Sequence, residues 1–145
     1  MLTLFWMEHI MKHNFELFKL EELTLEYCKI RGLIIDRNIV RRSEKRIDLF
    51  IENDDTKGIG VVIKDWKRAV GVDIIIRAEQ IAKTSRLISK ILIVSNLFSD
   101  PARSLAEKIG IFLLTRSDLI RILSSDLTRK TGKKPSSSSQ NVALY

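Results

Sequence analysis

Residues 91–114 read Ile91-Leu-Ile-Val-Ser-Asn-Leu-Phe-Ser-Asp100-Pro-Ala-Arg-Ser-Leu-Ala-Glu-Lys-Ile-Gly110-Ile-Phe-Leu-Leu114. The first four residues are wholly apolar, the pattern of a short strand buried on both faces. Ser99 or Asp100 then caps a helix that carries Pro101 in its first turn, where a missing amide hydrogen costs nothing. Gly110 stands where a left-handed C-terminal cap belongs, and residues 111–114 form a second buried strand. Strand, helix and strand in so short a span predict neighbouring strands of an α/β sheet.

Working outward from this unit, residues 47–51 read as a strand, 53–58 as a tight turn and 59–66 as the returning strand, a hairpin. Residues 72–89 carry apolar side chains at 74, 75, 78, 81, 82 and 88 with charges at 77, 79, 83 and 86, which predicts a helix. Upstream, Phe15 to Arg31 is helical in spacing and Gly32 ends it. Residues 33–35 and 39–40 are β-rich. Ser117 or Asp118 caps a last helix to about residue 125. The expected order is α-β-β-β-α-β-α-β-α, an α/β domain with a mixed central sheet and helices on both faces.

Length and composition agree. The 145 residues are enough for one core. With 45% hydrophobic and 30% charged residues the chain is neither a disordered polymer nor a membrane protein. The expected division is an N-terminal extension at 1–13, a domain at 14–125 and a basic, serine-rich, disordered tail at 126–145. The single cysteine, Cys28, excludes an internal disulfide and a multi-cysteine zinc site, and is expected in the core. A poor secretory signal at the N-terminus makes the cytoplasm the expected compartment. Neither a dinucleotide nor a P-loop fingerprint is present: Gly58-Ile-Gly60 lacks its third glycine, and Gly132-Lys133 lacks the upstream glycine and strand.

The net charge of +7 points to a polyanionic partner, and its position matters more than its size. Residues 1–36 sum to −2, whereas 37–68, 69–125 and 126–145 each sum to +3. Within the basic middle, Asp48 lies in one hairpin strand and Lys64 at the exit of the next. Alternation places Ile47 and Leu49 on the face opposite Asp48. A carboxylate within an apolar strand costs free energy unless it is paired or bound to a metal. Asp and Lys on adjacent strands suit metal-dependent phosphodiester cleavage, the carboxylate holding the cation and the ammonium orienting water or neutralising developing charge.

Taken together, Ile47-Asp48-Leu49, Val62-Ile63-Lys64, Val94-Ser-Asn-Leu-Phe-Ser99 and Ala102 through Leu-Ala106-Glu-Lys-Ile-Gly-Ile111 resemble the PD-(D/E)XK nuclease superfamily over residues 14–124. The nearest branches are Mrr-type restriction endonuclease domains and archaeal Holliday-junction resolvases. The resemblance implies a restriction-endonuclease-like core, duplex or branched DNA as partner, and Mg²⁺ or Mn²⁺ as cofactor. Asp48 would be a catalytic metal ligand and Lys64 the water-orienting partner. A homodimer would supply two sites for paired cuts. Resolvases also use a glutamate on the first helix, and Glu21, eleven residues before Gly32, matches it; Glu21, Glu22 and Glu26 equally fit a solvated acidic face.

The chain departs from the family at one place. Members carry Glu, Asp or Gln two residues before the lysine, where this chain has Val62. Either the domain is a non-cleaving relative for DNA binding or assembly, or another acid has taken over. Glu79 is the candidate catalytic and metal-ligating replacement on the following helix, against a solvated face held by i,i+4 pairs. Retention of Asp48 and Lys64 argues for activity. Arg41, Arg42, Lys45 and Arg46 before the Asp48 strand, with Lys67 and Arg68 after Lys64, would frame the site as a phosphate-tracking groove whose six contacts make binding steeply salt-dependent. Asp65 turns to the face opposite Lys64, Trp66 is a packing residue or a base-stacking platform, and His9 with His13 lacks a third ligand.

Overall fold

The computed structural model describes residues 18–53 and 57–130. The expected N-terminal extension, the His9/His13 pair, part of the hairpin turn and the serine-rich run lie outside them.

The first helix, α1 (Leu20–Ile30), buries Leu20, Leu23 and Tyr27 along one stripe. It ends at Gly32, whose φ of 70° lets the Leu33 amide reach back 2.9 Å to the Cys28 carbonyl. Burial pushes the Cys28 thiol up to about 11, as befits a core cysteine. The β-rich stretch that follows is only partly extended. Ile35 makes a single bridge to Ile51, and the Glu52 and Asp36 amides donate to Ile34 and Phe50 carbonyls at 2.8 and 3.0 Å, covering the sheet edge. Ile39 and Val40 instead belong to a helix, α2 (Arg37–Arg42), because the Asp36 carboxylate accepts the Asn38 amide at 2.9 Å and starts a turn. The order is therefore α-α-β-β-α-β-α-β-α among the described residues.

The strands are β1 (Leu49–Ile51), β2 (Gly58–Lys64), β3 (Ile88–Ser95) and β4 (Phe112–Thr115), forming one sheet in that order. β1 and β2 are antiparallel, with Leu49 opposite Val61; β2–β3 and β3–β4 are parallel. Between them run α3 (Val72–Thr84) and α4 (Asp100–Ile109), and α5 (Arg116–Lys130) closes the domain. The unit at 91–114 forms as expected: the Ser99 hydroxyl accepts the Ala102 amide at 3.2 Å, and Gly110 adopts φ 82°.

Three boundaries differ from the sequence expectation. α3 stops at Thr84 rather than 89, since the Ser85 hydroxyl takes the Leu87 amide and Ile88 pairs with Gly58 in the sheet. Thr115, not Ser117, caps α5: its hydroxyl accepts the Asp118 amide at 3.0 Å while Asp118 accepts the Thr115 amide at 2.9 Å. α5 continues to Lys130, past the expected start of the tail.

Alternation along the strands builds two core layers, one on each face of the sheet. Val61, Leu92, Val94 and Leu114 meet α1 and α5 on one side. Val62, Ile91 and Ile93 meet α3 and α4 on the other. Among the described residues no helix is long and apolar enough to cross a membrane.

Candidate functional site

The three parallel strands end together: Lys64 is in register with Ser95, and Ser95 with Thr115. Their carboxyl ends are where an open α/β sheet presents ligand-binding loops. Alternation sends this row toward the α3/α4 layer and the next residues, Asp65, Asn96 and Arg116, toward α1 and α5.

Asp48 stands just before β1 begins, and the alternation expected there fails: Ile47 packs in the α3/α4 layer and Leu49 in the other. The irregularity leaves Asp48 exposed, so its carboxylate carries no burial cost. Its amide donates to the Val61 carbonyl at 2.8 Å and its Oδ2 accepts the Ile63 amide at 2.7 Å, so the side chain extends the hairpin ladder beyond Leu49. Lys64 is half-buried, its Nζ 5.2 Å from the centre of the Trp66 ring, and the Arg68 guanidinium lies over the same ring at 4.1 Å.

Val62 is 6% exposed and belongs to the α3/α4 core. Glu79, on α3, pairs with Lys83 at 3.5 Å across one turn. Glu21 is exposed in the first turn of α1, beside Glu22, which accepts the Lys19 amide at 2.8 Å. Glu26, one turn further, is buried rather than part of an exposed acidic face. No three His, Cys, Asp or Glu side chains gather into a group able to hold a metal among the described residues. A hard divalent cation takes six or more oxygen ligands. Among the described residues, the donor set around Asp48 and Lys64 does not fit one.

The basic residues divide. Arg41, Arg42, Lys45, Lys67 and Arg68 are exposed. The segments that carry Arg41–Arg42 and Lys67–Arg68 rest on one core layer, through Ile39 and Val40 of α2 and through Trp66. Arg46 is committed elsewhere: Nε and Nη2 donate to the buried Glu44 carboxylate at 2.7 and 2.8 Å, and Nη1 donates to the Thr84 hydroxyl at 2.9 Å. That pairing holds the Glu44 carboxyl below its ordinary value.

A second constellation was not anticipated. Arg116 donates from Nε to Asn96 Oδ1 and from Nη1 to the Phe18 carbonyl, both at 2.6 Å, and from Nη2 to Asp65 Oδ1 at 3.3 Å. Asn96 Nδ2 donates to Asp65 Oδ1 at 3.0 Å and to the Trp66 carbonyl at 2.7 Å. Asp65 Oδ2 accepts the Leu20 amide at 3.1 Å, at the start of α1. Partial burial pushes the Asp65 carboxyl up, but the Leu20 amide, Asn96 and Arg116 outweigh it and hold the group below its usual range. The network ties the first helix to the strand ends and fixes the backbone of residues 65 and 66. Its sequence signal was a polar residue immediately after each of three apolar strands.

A restriction endonuclease family model of Mrr type matches residues 12–123. The chain belongs to the Mrr-type restriction endonuclease family. Its sheet and flanking helices are consistent with that family's core, and the family assigns it to nuclease-type, DNA-acting domains. No curated protein and no solved structure matches it. Val62, expected from the nuclease resemblance to be the point of departure, is a packing residue in the folded chain.

Proposed function

We propose that this Mrr-type domain binds duplex or branched DNA through its basic face without cutting the strand. The carrying observation is Val62: where relatives supply an acid, this chain buries a valine in the α3/α4 core, and no other carboxylate joins Asp48 to complete a cation site among the described residues. Asp48 has a role that needs no metal, accepting the Ile63 amide, and Glu79 is engaged by Lys83. Retention of Asp48 therefore no longer argues by itself for a cutting site. Exposed Arg41, Arg42, Lys45, Lys67 and Arg68 supply the positive charge that tracks a phosphate backbone.

The competing reading is a phosphodiesterase dependent on Mg²⁺ or Mn²⁺, in which Asp48, Glu21 and Glu79 hold the cation and Lys64 orients water. Family membership favours it. Incubating the full chain with supercoiled plasmid and with a four-way junction, in EDTA and with each metal, separates the two. Salt-sensitive binding equal in EDTA and Mg²⁺, with no nicking, supports the binding module. Metal-dependent nicking that Asp48→Ala abolishes establishes the enzyme.

A further inference from the structure

The segment Lys64-Asp-Trp-Lys-Arg68 concentrates three cations and one acid at the end of β2. The acid is spent on the far side, on Leu20, Asn96 and Arg116. The cations are left without a carboxylate from their own segment, and Asp48 across the hairpin directs Oδ2 to the Ile63 amide.

Trp66 organises two of these cations. Its ring rests against the α3/α4 core, and its carbonyl is held by Asn96 at 2.7 Å, so both ends of the residue are fixed. Lys64 and Arg68 lie over that ring at 5.2 and 4.1 Å. A ring quadrupole attracts each cation and restricts its long side chain, while the two like charges repel each other. A phosphate that reaches both cations relieves that repulsion and meets groups whose freedom is already reduced. A ring flanked by its own cations is poorly placed to stack on a base, whereas its cations are well placed for phosphate oxygens.

We propose that Lys64, Trp66 and Arg68 form a preorganised receptor for the phosphodiester backbone of DNA, with Lys64 and Arg68 as the phosphate-binding cations and Trp66 as their positioning residue. The proposal rests on the DNA-binding reading above and gives Lys64 a use that requires no metal.

The test is equilibrium binding of a fluorescently labelled duplex to the full chain in EDTA, across a NaCl series, with a single-stranded oligonucleotide in parallel. Lys64→Ala and Arg68→Ala should each lower the slope of log K against log salt by about one, and the double variant by about two. Trp66→Ala should weaken duplex binding by roughly three- to tenfold with both cations present, and Trp66→Phe should restore most of it. Should Trp66→Ala fail to fold, the two cation variants decide the matter alone, since both alter side chains that reach solvent. Wild-type binding whose slope survives the double variant overturns the receptor and leaves the DNA reading intact. Loss on Trp66→Ala confined to single strands, with unchanged slopes, also overturns it in favour of base stacking. A wild-type chain that binds neither nucleic acid overturns both.

Discussion

Two neighbouring rows of residues cross the carboxyl ends of the same three strands and have opposite characters. Asp65, Asn96 and Arg116 satisfy one another and the start of α1 through hydrogen bonds of 2.6–3.3 Å. One residue earlier, Lys64, Ser95 and Thr115 face the other layer. There Thr115 caps α5, Lys64 lies over an indole, and the wholly buried Ser95 hydroxyl has no hydrogen-bond partner among the described residues. Closing a polar network stabilises and orients the fold, whereas leaving cations open to solvent keeps charge available for a ligand. The first row is structural; in the second, Ser95 and Thr115 are buried and Lys64 alone carries a charge that reaches solvent.

The sharpest way to break the comparison is Arg116→Ala. It removes a hydrogen-bond donor from the Asn96 oxygen, the Phe18 carbonyl and the Asp65 carboxylate at once, and should cost about 3 kcal/mol in urea unfolding. Lys64→Ala should cost under about 0.5 kcal/mol. Equal losses from the two would erase the distinction between the rows. Val62→Glu comes next. Placing a carboxyl in the α3/α4 core should destabilise the domain by about 2 kcal/mol in EDTA. Millimolar Mn²⁺ should then raise the melting temperature of the variant and leave the wild type unchanged. A wild-type response as large as the variant's would mean that Val62 does not limit cation binding.

Acid sharpens the contrast further. The folded-state values of Asp65 and Glu44 lie below their unfolded ones, so each carboxyl's stabilising contribution is complete above its unfolded value, near pH 4. It is lost as the pH falls through the lower folded value. Asp65→Asn should therefore be less stable than wild type at pH 7, by no more than about 0.5 kcal/mol because solvent screens the partly exposed carboxylate, with the gap closing as the pH falls below about 4. A gap that widens in acid would reverse the assignment. The smallest effect belongs to Ser95→Ala, which removes a buried hydroxyl with no partner among the described residues and should leave stability unchanged or raised by up to about 0.5 kcal/mol.

How far these rows could be read in advance depended on sequence distance. The unit at 91–114 was legible because its caps, Ser99 and Gly110, and its two apolar runs are local signals. Asp36 was an equally local signal for α2, overlooked because β-branched Ile39 and Val40 suggested a strand. α3 ran short because the periodic pattern at 85–89 lost to strand pairing with Gly58, a long-range event. Val62 was legible as a departure from family pattern, but its burial required the fold. Asp48 was misread as a costly carboxylate since only the hairpin register shows that it precedes β1 and reaches solvent. The Asp65–Asn96–Arg116 network joins residues that share no local spacing, and appears only once the strand ends are aligned.

The proposal that the described residues of this Mrr-type domain form no competent divalent-cation centre is tested most directly by titrating Mn²⁺ into the wild-type chain and following free Mn²⁺ by electron paramagnetic resonance. The expected result is no stoichiometric site tighter than about 1 mM, and an identical curve for Asp48→Ala. A single site well below that concentration, lost in Asp48→Ala, would contradict it.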